Sequence, residues 1–322
     1  MLRRYLGTSG LQVSRLALGT MTWGTDTAAY EAQAQLRAFV DAGGTLLDTA
    51  AAYGHGASES LIGKLIATVV DRDDLVLATK AGTATRDGRR VVDVSRVALL
   101  RTLDASLARL GVDHVDLWQL QGWSDDVPLE ETMTALDAAQ TSGRARYVGV
   151  SNYAGWQTAR AATHQLSLPG RARLVSTQVE YSLLQRGIER EVAPAVEALR
   201  MGILPWAPLG RGVLTGKYRN AVPAHSRAAA PTFEKYVGVH LTPVASRVVE
   251  AVCRAAEGLD LTPGQVALAW VRDQPDVVAP IVGARTVAQL QESLAAENVT
   301  LPDEIAAALD DVSAPELGYP EV

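Results

Sequence analysis

The sequence lacks most of what marks secreted, membrane-spanning or nucleic-acid-binding proteins. It has one cysteine, Cys253, in 322 residues. No internal disulfide can form, so a reducing compartment and a cytoplasmic location are expected. Within its amphipathic pattern Cys253 reads as a small buried hydrophobe. No apolar run approaches the roughly 18 residues of a membrane-spanning helix. Met1-Leu2-Arg3-Arg4-Tyr5 leads into no apolar core of a secretory signal. Nor is there a basic excess: 30 Lys and Arg face 36 Asp and Glu, a formal charge of −6, which favours neither nucleic acid nor anionic membrane. The histidines, His55, His114, His164, His225 and His240, show no metal-ligand spacing, so no metal site is expected. A Gly-x-Gly-x-x-Gly after the first strand, the dinucleotide fingerprint of open α/β sheets, is also missing.

What is present is a regular alternation of strand and helix. A hairpin is expected over 3–14, around Gly7-Thr8-Ser9-Gly10. Eight short apolar runs follow, at 15–19, 45–49, 75–80, 115–120, 146–150, 174–179, 203–206 and 277–282. Each is rich in Val, Leu or Ile, as strands buried on both faces require. Between them lie helical stripes: Val97, Leu100, Leu103, Leu107 and Leu110; Val192, Val196 and Leu199; Val287, Leu290 and Leu294. Gly43, Gly111, Gly143 and Gly202 stand where helices should stop. The loop over 209–242 reads as a binding loop. Helices are expected at 243–258, 263–273 and 302–312. Eight units without the open-sheet fingerprint point to a closed (β/α)8 TIM barrel, an α/β fold. It would carry an N-terminal β-hairpin as a plug and extra C-terminal helices, with residues 1–322 forming a single domain.

The active site of such a barrel lies at the C-terminal strand ends. Those ends carry Gly19-Thr20-Met21 with Trp23, Asp48 with Tyr53, Lys80, Gln119-Leu120-Gln121 with Trp123, Ser151-Asn152, Gln178 with Tyr181, Trp206 to Gly210, and Gly283-Ala284-Arg285. Asp48, Tyr53 and Lys80 come from adjacent units. A free phenol, with a pKa of about 10, is a sluggish acid at neutral pH. A neighbouring ammonium favours the phenolate, and a carboxylate holds the ammonium in place. The trio therefore reads as a tyrosine general acid tuned toward working pH. His55 is near enough in sequence to reach the same site, whereas His114 precedes its strand at the wrong end.

The motifs resemble those of the aldo-keto reductase family along the whole chain. They are L-G-T-S-G-L-x-V-S-R-L-x-L-G-T (6–20), L-L-D-T-A-x-x-Y-G (46–54), S-E-S-L-I-G (58–63), T-K (79–80) and V-D-L-W-Q-L (115–120). V-G-V-S-N-Y (148–153), Q-x-E-Y-S-L-L (178–184), P-L-G-R-G-V-L-T-G-K-Y (208–218) and V-G-A-R-T-V-A-Q-L-Q-E (282–292) continue the series. The bacterial and potassium-channel β-subunit branch is the most similar. The resemblance implies NADP(H)-dependent reduction of a small-molecule aldehyde or ketone, the proton coming from Tyr53.

It also implies roles for other residues. Thr20, Met21, Asp48, Ser151, Asn152, Gln178 and Trp206 would meet the nicotinamide end, with Tyr181 stacked on its ring. Leu209, Gly210, Gly212 and Gly283 would follow the pyrophosphate. Lys217, Arg227 and Arg285 would take the 2′-phosphate, and Gln289 and Glu292 the adenine. Trp23, Tyr53, Trp123 and Trp206 would line the substrate pocket. Two departures stand out. The family has asparagine where this chain has Ser293, and a catalytic histidine where it has Gln121. A glutamine amide can donate to a carbonyl but cannot become a cation. Either Gln121 orients the substrate and turnover survives, or the change marks a different acceptor, such as an activated carbon–carbon double bond, or weak turnover in an NADPH-binding regulatory or redox-sensing subunit.

Overall fold

The computed structural model describes residues 1–86, 89–223, 226–229, 233–315 and 318; the side chains of residues 86, 90 and 227 lie outside that description. The chain opens with an antiparallel hairpin, β1 (Arg3–Tyr5) and β2 (Gln12–Ser14). β3 (Ala17–Gly19), α1 (Ala29–Asp41), β4 (Leu46–Asp48) and α2 (Ala57–Ile66) follow. β5 (Val76–Ala81) runs into a second antiparallel hairpin, β6 (Thr83–Arg86) and β7 (Arg89–Val92), before α3 (Arg96–Leu110). Next come β8 (Val115–Leu120), α4 (Leu129–Thr141), β9 (Ala145–Ser151), α5 (Gly155–Leu166), β10 (Leu174–Glu180), α6 (Val192–Leu199) and β11 (Gly202–Trp206). The last stretch holds α7 (Glu234–Gly238), α8 (Pro243–Leu259), α9 (Pro263–Arg272), β12 (Ile281–Val282), α10 (Val287–Ala295) and α11 (Asp303–Val312).

β3, β4, β5, β8, β9, β10, β11 and β12 close into a barrel in chain order, each parallel to its neighbours. All eight strands read from the sequence are present, but the first, second and last are shorter. The 277–282 run contributes a ladder only at Ile281–Val282. Pro280 has no N–H to donate, although its carbonyl accepts from Ala17 N at 2.9 Å. The second hairpin was not legible: Thr-Ala-Thr-Arg followed by Arg-Arg-Val-Val gives no apolar alternation over both strands.

The hairpin plugs the N-terminal end of the barrel. Leu6 and Val13 join Ala17, Leu46, Ala78, Leu117, Leu204 and Ile281 in one interior cluster. Gly7 allows the close fit: its φ is +56°, and a Cβ there would sit 2.6 Å from the Val175 carbonyl oxygen. The outer core lies between strands and helices. In α3 it is built on Leu99, Leu103, Leu107 and Leu110, and Val97, assigned to the stripe from its spacing, is 73% exposed. Leu99 fits the helical period better and takes the inner face. α3 ends at Gly111 in the left-handed region, as expected, but α6 ends at Arg200 and Gly202 already belongs to β11. Among the described residues no helix is long and apolar enough to cross a membrane.

Candidate active site

Strand register sets the centre of the site. Asp48 on β4 pairs with Ala78 on β5, and Lys80 stands two residues further along. A period of two turns both side chains inward. Lys80 Nζ lies 2.8 and 2.7 Å from the two Asp48 carboxylate oxygens. The pair is sealed from water, Lys80 being 1% and Asp48 2% exposed. From β10, across the barrel, Gln178 Nε2 donates to Asp48 Oδ1 at 2.8 Å. Burial alone would weaken the Lys80 ammonium. Asp48 and the hydrogen-bonded Tyr53 hydroxyl outweigh it, and the lysine pKa is raised above its ordinary value.

Tyr53 enters from the turn Tyr53–Gly56, with Lys80 Nζ 5.2 Å from its ring centre. Gly54 and His55 are both left-handed, and a Cβ on Gly54 would lie 2.8 Å from Thr25 Cγ2. The following S-E-S stretch clamps this turn. Ser58 Oγ donates to the Thr20 carbonyl at 2.9 Å. The buried Glu59 carboxylate accepts from Thr79 Oγ1 at 2.6 Å and Arg109 Nε at 2.8 Å. These residues hold α2 against β5 and α3, so the motif fixes where Tyr53 stands. His55 is exposed and does not line the cleft.

The trio sits at the floor of a cleft of about 570 Å³. Thr20, Met21, Gln121, Ser151, Asn152, Gln178 and Trp206 line the same end. Leu209, Gly212 and Lys217 continue along it, Gly283 and Arg285 precede α10, and Gln289, Glu292 and Ser293 lie on α10 itself. One end thus offers amides and hydroxyls, and the other offers the cations Lys217 and Arg285. That donor set suits a long dianionic molecule with an amide at one end, which fits a nicotinamide dinucleotide. Gly210 abuts Leu184 and stands behind the lining. Arg227 falls in the turn Arg227–Ala229, and its side chain lies outside the described residues. Among the described residues no group of three or more His, Cys, Asp or Glu could hold a metal ion.

Three aromatic residues are not where the sequence reading put them. Tyr181 does not line the cleft. Its hydroxyl donates to Glu189 at 2.7 Å and its ring packs on Trp270 at 5.7 Å. Burial, with Glu189, raises its phenol above the ordinary range. The reason is parity: Gln178 faces the barrel interior, so a residue three places on faces away. Trp206, in phase with Leu204 on β11, does line the cleft, its indole N–H on Asn152 Oδ1 at 3.0 Å. Trp23 is fully buried, its N–H on Gln35 of α1 at 3.1 Å. The turn closed by Trp23 N on the Thr20 carbonyl folds it back into the core. Trp123 bonds Asp125 and packs edgewise on Tyr153 and Trp156, outside the lining.

Sequence reasoning also missed the roof. Arg211, left-handed at φ 58°, forms a forked pair with Glu180 at 2.7 and 2.6 Å. It lies over the Tyr236 ring at 4.1 Å and donates to the Tyr236 carbonyl, tying α7 across the cleft. Burial would raise the Glu180 carboxyl, but His240 and Arg211 outweigh it and hold it below its usual value. Arg211 stood in the P-L-G-R-G motif, and its lone charge between two glycines was the available signal.

The model of the aldo/keto reductase family matches residues 15–314. The uncharacterized oxidoreductase YrpG of Bacillus subtilis is 35% identical, over 96% of this chain and 94% of its own. The L-glyceraldehyde 3-phosphate reductase of Escherichia coli O157:H7 is 33% identical, over 95% and 91%. A probable voltage-gated potassium channel subunit beta of Arabidopsis thaliana is 33% identical, over 91% and 90%.

Proposed function

Because the chain belongs to the aldo/keto reductase family, a family of oxidoreductases, we propose that it uses NADPH to reduce the carbonyl of a small aldehyde or ketone. The observation that carries this reading is the buried Lys80–Asp48 pair beneath the Tyr53 ring at the cleft floor. Ser151, Asn152 and Gln178 would hold the carboxamide of the cofactor, and Trp206 its ring face. Arg285 and Lys217 would take the 2′-phosphate, with Gln289 and Glu292 near the adenine. When bound, the dinucleotide supplies the hydride.

The protein's own groups do the rest. Tyr53 Oη hands its proton to the substrate oxygen as negative charge develops there. The Lys80 ammonium stabilises the phenolate left behind, and Asp48 keeps that ammonium charged and in place. The Gln121 amide donates a second hydrogen bond to the same oxygen. Purified protein mixed with NADPH and a panel of aldehydes and ketones should consume NADPH, followed at its absorbance band. Tight NADPH binding with no turnover on any carbonyl would instead select the regulatory-subunit reading that Gln121 keeps open.

The choice of NADPH over NADH has its own test. Arg285→Ala should raise KM for NADPH about tenfold, the loss of one charge-assisted hydrogen bond to phosphate. KM for NADH should stay as it was. Equal effects on both cofactors would remove Arg285 from the 2′-phosphate site.

A further inference from the structure

Resting on the reaction proposed above, we propose that Thr83 is a positioning residue whose hydroxyl sets which end of the Gln121 amide faces the substrate. A primary amide has two ends of nearly equal shape and opposite polarity. Turned one way, Gln121 offers N–H2 to a carbonyl oxygen. Turned the other, it sets an acceptor against an acceptor. A histidine solves the problem with a proton, whereas a glutamine needs something to hold it the right way round.

The structure supplies that hold. The Gln121 main chain is fixed on both sides, its N–H on the Ala81 carbonyl at 2.8 Å and its carbonyl accepting Asn152 Nδ2 at 3.0 Å. Its side-chain oxygen is engaged by the hydroxyl of Thr83, which donates to Oε1 in a short hydrogen bond. Thr83 is itself buried and opens β6, paired with Val92 of β7. Asp93 N closes the base of that hairpin on the Gly82 carbonyl at 3.0 Å. The hydroxyl therefore sits on a short ladder rather than on a free loop. With Oε1 taken, N–H2 is the end left for the cleft, which Gln121 lines. The second hairpin, otherwise without a role, becomes the brace for the group that replaces histidine. A glutamine donor does not titrate, so it adds no inflection of its own to the pH–rate profile.

The test is a small set of variants assayed with NADPH and a reducible carbonyl. Thr83→Val keeps the shape and removes the hydroxyl; it should lower kcat about tenfold, the worth of one hydrogen bond, with NADPH affinity unchanged. Thr83→Ser should return the rate to within about twofold, since the hydroxyl is the group that matters. Gln121→Glu, an acceptor at both ends, should lose about tenfold or more. In a Gln121→Leu background, Thr83→Val should cost nothing further. Full activity in Thr83→Val, full activity in Gln121→Glu, or an undiminished Thr83→Val loss in the Gln121→Leu background would each overturn the proposal. Activity that depends on Tyr53 but ignores Thr83 sinks this inference and spares the proposed reaction. If the unaltered protein reduces no carbonyl, the proposed reaction falls, and crystal structures decide the positioning role. One Gln121 conformation in the unaltered protein and a different one in Thr83→Val support it; the same conformation in both overturns it.

Discussion

Tyr53→Phe should lower kcat for carbonyl reduction by about two to four orders of magnitude, the usual contribution of a positioned general acid. The change removes one oxygen from the cleft and leaves the ring over Lys80. NADPH affinity, read from fluorescence quenching, should therefore move by less than about twofold, while the melting temperature should fall by a few degrees, the loss of one hydrogen bond to the Lys80 ammonium. KM for the carbonyl should change less than kcat, because the proton is needed as charge develops rather than on binding. A variant that keeps a tenth of the rate would show that the proton comes from elsewhere, and the roles given to Lys80 and Asp48 would go with it.

Asp48→Ala should be the most damaging single change to the fold as well as to activity. It leaves the Lys80 ammonium buried with no carboxylate, and breaking such a pair costs about 3–5 kcal/mol. For a protein of this size that is a fall in Tm on the order of 10 °C. The sign of the pH dependence should reverse too. In the unaltered protein the Lys80 pKa is raised. Its stabilisation is then fully present below the unfolded lysine value of about 10.4, and is lost as pH climbs through the higher folded value. Without Asp48, burial dominates and the folded pKa drops below 10.4, so stability should rise with pH on approach to that value. A Lys80→Met and Asp48→Leu double variant should regain much of the lost stability while staying inactive, since an apolar pair fills the same space without stranding a charge. Thermal melts from pH 7 to 11, read beside the NADPH assay, separate the two effects. An Asp48→Ala protein as stable as the parent, with the same alkaline slope, would mean that the pair is not what holds this part of the barrel.

Much of the arrangement was legible along the chain. Asp48 and Lys80 could be placed because each lies at the C-terminal end of a short apolar strand, and a strand's two-residue period fixes its facing. The same rule, applied one step further, would have turned Tyr181 away from the cleft, and it keeps Trp206 in it. The error lay in following a motif past the end of β10 rather than counting faces. Trp23 and Trp123 fail for another reason. Both sit in loops after strand ends, where the chain has no period, and nearby partners capture them: Gln35 for the first, Tyr153 and Trp156 for the second.

By itself the sequence determined the closed eight-unit barrel, its hairpin plug and the convergence of Asp48, Tyr53 and Lys80. Those features follow from local periodicity and from the order of the strands, which a linear chain carries explicitly. Only the tertiary structure decided what braces the site. Thr83 reaches Gln121 across 38 residues, and His240 reaches Glu180 across 60. Such contacts depend on how loops fold over the strand ends, where steric packing and hydrogen-bond geometry choose among partners that the pattern of residues leaves equivalent.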